Sequence, residues 1–288
     1  MNLARFQEQI FFTTVRITIS GHDGASESIG TGFLFNTPIG DANNSSALLL
    51  ISNRHVYQNP ERRIRVSFHQ LKNDNSGPNL GAVVNIQSDG FRGIYVEHPD
   101  PDVDLACINV SEITKPEHRV FFRSLHPDIV ATFQEGDLMP GASVWFIGYP
   151  ENRFDSAHNL PILRCGHIAS MPTVDFLGRK QFVIDGQVFP GSSGSPVFAE
   201  IGSMYRFAGV ITQTMIRNQE LQAIPTRAAV GVEQVLGLGI VLKAPLVTEL
   251  VDRVTRQIRE ALATRAEPVQ AAAPAPVPGQ PAPGDTVA

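Results

Sequence analysis

Cysteine is nearly absent from this chain: two residues in 288, Cys107 and Cys165. That excludes a disulfide framework, and a chain long enough to bury a large core does not need one. The two could still pair with each other, but each sits in an apolar stretch, and buried free thiols are the expectation. Blocks of one charge are missing as well. The net charge is −5 and no cluster of Lys or Arg gathers into a basic patch, which argues against nucleic acid or an anionic membrane as partner. No apolar run approaches the roughly 20 residues that cross a bilayer. The opening "MNLARFQEQIFFTTVRITIS" has no basic segment followed by an unbroken apolar one, because Arg16 interrupts it. A soluble protein in its compartment of synthesis, the cytoplasm, is the expectation.

Long amphipathic helices are also scarce. The periodicity is that of strands: "FFTTVRITIS", "GTGFLFN", "SALLLISN", "RIRVSFHQ", "DLACINV", "SVWFIGYP", "LPILRCGHIAS", "RKQFVIDGQV", "YRFAGVITQ" and "LGLGIVLKA". These are short, rich in β-branched and aromatic residues, and bounded by Gly, Pro, Asn or Asp. Their spacing predicts antiparallel barrels or sandwiches and not alternating strand–helix units. "QLKNDNSGPNL" reads as a polar loop, and residues 123–141 suit a connection between two β-units. One helix is evident, in "APLVTELVDRVTRQIREALATR", where Leu246, Leu250, Val254, Ile258 and Leu262 recur at every fourth position. Such a stripe docks on the protein's own core. Beyond it, "AEPVQAAAPAPVPGQPAPGDTVA" has almost nothing to bury and reads as a disordered Pro/Ala tail.

The stretch "FPGSSGSPVF", residues 189–198, packs two serines between glycines. Those residue types make tight turns, and they also suit a nucleophilic serine. A serine hydroxyl attacks only with a base, usually His, that is itself held by a carboxylate. His22, His98, His118, His126 and His158 lie in polar or Pro-containing stretches where surface or turn roles suffice. His55 differs, because it follows the apolar strand in "LLLISNRHVY". For the carboxylate, "EHPDPDVDLACINV" offers Asp100, Asp102 and Asp104. A calcium-loop reading fails, because Leu105 and Ser111 stand where glycine and glutamate are required. Asp104 opens the apolar strand and is the choice, with Asp102 second.

Taken in order, "GTGFLF", "ISNRHV", "DVDLACINV", "FIGYP", "PGSSGSP" and "FAGVIT" resemble the trypsin-like serine peptidases of chymotrypsin fold. The bacterial glutamyl-endopeptidase-like and heat-shock-type branches are nearer than the digestive ones. The resemblance covers roughly residues 9–262 and implies an all-β protein. Two antiparallel six-stranded barrels, residues 1–125 and 126–265, would be followed by the C-terminal helix within the second unit and a tail at 266–288. It implies Ser193 as nucleophile, His55 as base and Asp104 as orienting acid. It gives the amides of Gly191 and Ser193 to an oxyanion hole, a role the chemistry also demands, since glycine lets the chain bend before the serine. Ser192 and Ser195 become turn and packing residues, and Thr212 would hydrogen-bond near Asp104. The α/β-hydrolase alternative is excluded: Ser195 replaces the last glycine of its elbow motif and the order of the three groups is reversed.

The departures concern activation and specificity. No activation cleavage site is evident. Aligned on the serine, Gln187 lies at the pocket base and Thr214 on its wall, so a small or uncharged P1 residue is expected. The insertion at 215–235 is expected to cover or gate the cleft, with Pro225 and Gly231 as hinge points. The implied activity is a serine endopeptidase acting on protein or peptide substrates, with no metal and no cofactor. The alternatives are a non-catalytic binding module on the same fold, or a peptidase silent until a regulatory protein partner opens it.

Overall fold

A computed structural model describes residues 3–21, 27–40, 45–223 and 228–266. His22, Pro225 and nearly all of the Pro/Ala tract lie outside them. After a short helix α1 (Phe6–Gln9), the first half of the chain forms β1 (Thr14–Ser20), β2 (Glu27–Pro38), β3 (Ser46–Ser52), β4 (Arg63–Leu71), β5 (Pro78–Asp89), β6 (Tyr95–Glu97), β7 (Ala106–Asn109) and β8 (Val120–Phe121). A one-turn helix α2 (Arg54–Tyr57) follows β3. The second half forms β9 (Ser143–Gly148), β10 (Ile162–Ile168), β11 (Gln181–Asp185), β12 (Pro196–Ile201), β13 (Met204–Ala223) and β14 (Ala228–Lys243), and ends in helix α3 (Ala244–Ala266).

The second set closes into a six-stranded antiparallel barrel in the order β10-β11-β14-β13-β12-β9. The first set corrects the expectation of a second closed barrel. It is an eight-stranded open sheet in the order β5-β4-β1-β2-β3-β7-β6, with β8 on β4. The reason lies at its edges. β5 is exposed along most of its length and β6 has three residues, so neither edge offers a buried face on which to close. "QLKNDNSGPNL" is likewise only partly loop: Gln70–Leu71 pair with Pro78–Asn79 across a turn.

The open sheet is buried on both faces at its centre, which explains the unbroken apolar run of β3. Leu48 and Leu50 face a core with Val15, Ile17, Ile19 and Leu34, while Leu49 and Ile51 join Phe33, Phe35 and the barrel residues Phe146, Phe182 and Phe207. That second core is shared between sheet and barrel, so the two pack as one body. Helix α3 docks on it through buried Leu246, Leu250 and Val254, whereas Leu262 near its end is 51% exposed. The described helices include none long and apolar enough to cross a membrane.

The described part of the insertion at 215–235 is paired strand and not an irregular loop. β13 and β14 stay in register from Ile216↔Val235 to Ala223↔Ala228, forming a two-stranded ribbon that continues the barrel wall. Register shifts at Ile211/Gln213 and Thr214/Ile216 mark where the ribbon leaves the barrel. Bulges of this kind bend a strand and re-aim its side chains.

Candidate active site

His55 lies on α2 just after β3, and Asp104 lies just before β7. Pairing of these strands, Ser52 with Ala106 among other positions, brings the two residues together from 49 positions apart. His55 Nδ1 is 2.6 Å from Asp104 Oδ2, and the His55 backbone N–H donates to Asp104 Oδ1 at 3.0 Å. Asn53 Nδ2 donates to the Asp104 carbonyl at 2.8 Å, and the Tyr57 hydroxyl donates to the Leu50 carbonyl at 2.6 Å. The turn of α2 is therefore tied down before and after the imidazole. Asp102 remains exposed.

Burial pushes the Asp104 carboxyl upward, but its hydrogen bonds and charge interaction with His55, joined by the Thr212 hydrogen bond, outweigh that. Its pKa lies below the usual aspartate value. Thr212 Oγ1 donates to Asp104 Oδ2 at 2.9 Å, and the Thr212 carbonyl accepts from the Ser193 hydroxyl at 3.4 Å. One residue of β13 thus contacts both the carboxylate and the serine. No hydrogen bond joins Ser193 to His55 among the described residues.

Ser193 sits on the turn between β11 and β12. Gly191 and Gly194 have φ of +83° and +85°, the left-handed region that suits glycine. A Cβ on Gly191 would stand 2.7 Å from the Tyr149 carbonyl, and one on Gly194 would collide with the Thr31 carbonyl and Ser52 Oγ. Within the turn, the amides of Ser192, Gly194 and Ser195 donate to Phe189, Ile211 and Ser192 carbonyls at 2.9–3.0 Å. The amides of Gly191 and Ser193 have no such partner among the described residues. Ser192 and Ser195 are fully buried.

Thr31, on β2, was not singled out by the sequence reading. Its N–H donates to the Ser193 carbonyl at 3.1 Å and its hydroxyl to the Gly191 carbonyl at 2.9 Å. The same hydroxyl accepts from the Tyr149 N–H at 3.0 Å, while Ser52 Oγ donates to the Thr31 carbonyl at 2.6 Å. Its only sequence signal is the pair of flanking glycines in "GTGFLF", which lets backbones approach closely.

Other expectations fare differently. Gln187 is exposed and Thr214 is half-buried opposite Gly239, and no hydrogen bond among the described residues ties either side chain to His55, Asp104 or Ser193. Cys107 is a buried free thiol that desolvation pushes up to about 12, but Cys165 is free and exposed, which corrects the expectation for it. Strand β10 has one face turned outward, and Cys165 falls on that face. His98, for which a surface or turn role is expected, takes a turn role but is buried: its Nδ1 accepts from the Asp100 N–H at 3.1 Å and its Nε2 lies 3.5 Å from Glu249 Oε2. No cluster of three or more metal-ligating side chains occurs among the described residues.

A closed six-stranded antiparallel barrel packed against an open β-sheet, with a C-terminal helix, is a chymotrypsin-like arrangement. The trypsin-like peptidase domain model matches residues 30–205, more than half of the chain. The chain belongs to that family. No curated protein matches it by sequence. Among solved structures, it is similar to the serine endoprotease from Yersinia pestis, with TM-score 0.50 and 15% identity, over 87% of this chain and 65% of that one. It therefore spans less than two thirds of the Yersinia protein, and the likeness concerns the fold alone. Deg5 matches with TM-score 0.48 and 19% identity, over 72% of this chain and 82% of that one. The Rv3671c protease from M. tuberculosis, active form, matches with TM-score 0.45 and 19% identity, over 85% and 82% respectively.

Proposed function

We propose that the protein hydrolyses peptide bonds through Ser193, His55 and Asp104. The observation that carries this reading is the chain of contacts at one point: His55 Nδ1 to Asp104 at 2.6 Å, Asp104 to Thr212 at 2.9 Å, and Thr212 to Ser193 at 3.4 Å. With Nδ1 engaged by the carboxylate, Nε2 of His55 is free to act as base. For that step the Ser193 hydroxyl gives up the Thr212 carbonyl for that nitrogen. Hydrogen bonds of this kind are often long before substrate binds.

In the reaction, Ser193 Oγ bonds to the scissile carbonyl carbon as its proton passes to His55 Nε2. The resulting oxyanion takes the two unpartnered amides of Gly191 and Ser193, which are worth most in a site shielded from water. His55 then gives its proton to the leaving amine as the carbon–nitrogen bond breaks, leaving an acyl-enzyme. Water, deprotonated by His55, attacks that ester, and the proton returns to Ser193. Asp104 stays ionised throughout and stabilises the imidazolium. In this reading residues 1–125 supply the base and acid, and residues 126–265 supply the nucleophile and oxyanion amides. No metal or organic cofactor enters the chemistry, and the partner is a protein or peptide substrate.

The test is labelling by a fluorophosphonate probe, which esterifies only an activated serine. Wild type should be labelled, and Ser193→Ala and His55→Ala should not. A wild type that stays unlabelled while fully folded would defeat the proposal.

A further inference from the structure

The turn that carries Ser193 is gripped from the barrel side by a cation without a counter-charge. Arg164 stands on β10. Its guanidinium donates to the Gln187 carbonyl and, at 2.6 Å, to the Ser192 hydroxyl. It lies 4.7 Å from the centroid of the Phe146 ring and 5.8 Å from that of Phe189. No carboxylate pairs with Arg164 among the described residues, and its Nε is buried without a partner. Burial pulls its pKa down to about 10.

Desolvating a cation with no anion beside it costs stability, so stability alone does not account for its position. The two acceptors do. Gln187 opens the segment that leads to the nucleophile and Ser192 is the residue before it. The Ser192 hydroxyl also accepts from the Phe189 N–H at 3.4 Å, and the Ser192 N–H donates to the Phe189 carbonyl at 3.0 Å. Ser192 is thus the knot of the turn, and the planar fork of one guanidinium joins it to residue 187 in a fixed geometry. The Phe146 and Phe189 rings beside it favour a cation there.

We propose that Arg164 is a positioning residue that holds the 187–193 turn in the form whose Gly191 and Ser193 amides receive the oxyanion. The role rests on the peptidase reading for its chemical meaning, and it makes the oxyanion hole a built-in feature of the barrel. It acts through Ser192 and touches no reacting atom.

The experiment compares wild type with Arg164→Ala, Arg164→Gln and Arg164→Lys, by steady-state peptide hydrolysis and by hydrogen exchange of the segment 187–195. Arg164→Ala should lose about 10²-fold in kcat, the scale of a misplaced catalytic group, with KM little changed. Guanidinium ion at non-denaturing concentration should restore part of that rate and none to Ser193→Ala. Lysine, a point charge without the fork, should fall between wild type and alanine. Exchange should rise in 187–195 and nowhere else. Unchanged kcat and unchanged exchange would overturn the proposal. So would a loss of rate that follows a general drop in melting temperature and resists guanidinium. If Arg164→Ala does not fold, the glutamine and lysine variants decide by the same two readouts. If wild type neither hydrolyses peptide nor takes the fluorophosphonate, the peptidase reading fails by itself, and exchange alone judges the latch: unaltered protection in the variants rejects it.

Discussion

Thr31 and Ser193, 162 positions apart, are joined by a backbone hydrogen bond of 3.1 Å, Thr31 N–H to the Ser193 carbonyl. The Thr31 hydroxyl reaches the Gly191 carbonyl two residues earlier. The first sheet therefore does more than deliver His55 and Asp104; it also holds the turn that bears the serine. Thr31→Val keeps the shape and removes the hydroxyl, stranding the Gly191 carbonyl and the Tyr149 N–H. An unmet buried group costs about 1–3 kcal/mol. Denaturant unfolding should show a loss of that order, and kcat should fall more than KM changes.

Asp104→Asn should lower kcat by about 10⁴-fold while leaving the fold intact, because an amide favours the wrong imidazole tautomer. The pKa shift fixes a pH signature as well. A carboxyl whose folded pKa lies below its unfolded value stabilises the fold above that unfolded value, ordinarily about 3.9. The contribution is lost as pH falls through the folded pKa. The stability gap between wild type and Asp104→Asn, read from urea midpoints, should hold at neutral pH and narrow only below about pH 4. A gap that closed near pH 6 would assign the linkage to another group.

Gly194→Ala should be among the most damaging single changes in the chain. Its φ of +85° strains any side chain, and the new Cβ meets the Thr31 carbonyl and Ser52 Oγ. Backbone strain of this kind costs roughly 1–3 kcal/mol before the collision is counted. Low soluble yield or a sharply reduced melting temperature is expected. A variant as stable as wild type would show that the turn has another conformation open to it.

The two thiols should separate cleanly under a thiol reagent. Cys165 is exposed and should react in the native protein, whereas Cys107 is buried with its pKa pushed up to about 12 and should react only on unfolding. Counting one fast thiol natively and two in denaturant checks this.

Leu250→Ala tests the docking of α3. Leu250 is fully buried in the shared core, and such truncations cost about 2–5 kcal/mol. The equivalent change at half-exposed Leu262 should stay within about 0.5 kcal/mol. Equal costs at the two sites would mean the helix end is covered by something else.

Short β-rich runs, the helical stripe from Leu246, and the ordered stretches holding His55, Asp104 and Ser193 were all legible in the residues, because they depend on local periodicity and on which side chains can do acid–base chemistry. Closure of the sheets was not: whether an edge pairs depends on what lies beside it, and the exposed β5 with the three-residue β6 left the first sheet open. The insertion became a ribbon only because β13 and β14 found each other in register. Cys165 is exposed against expectation for the same cause, since the face a residue presents is set by its neighbours across the fold. Neither the Thr31 hydroxyl nor Arg164 announces its role by residue type. A threonine is a polar strand residue and an arginine a surface charge until packing aims the one at Gly191 and Ser193 and half-buries the other against Gln187 and Ser192. The sequence alone determined which groups were available for chemistry; tertiary structure decided which backbone groups were paired and which amides were left free, because hydrogen bonds between distant segments exist only once the chain has closed on itself.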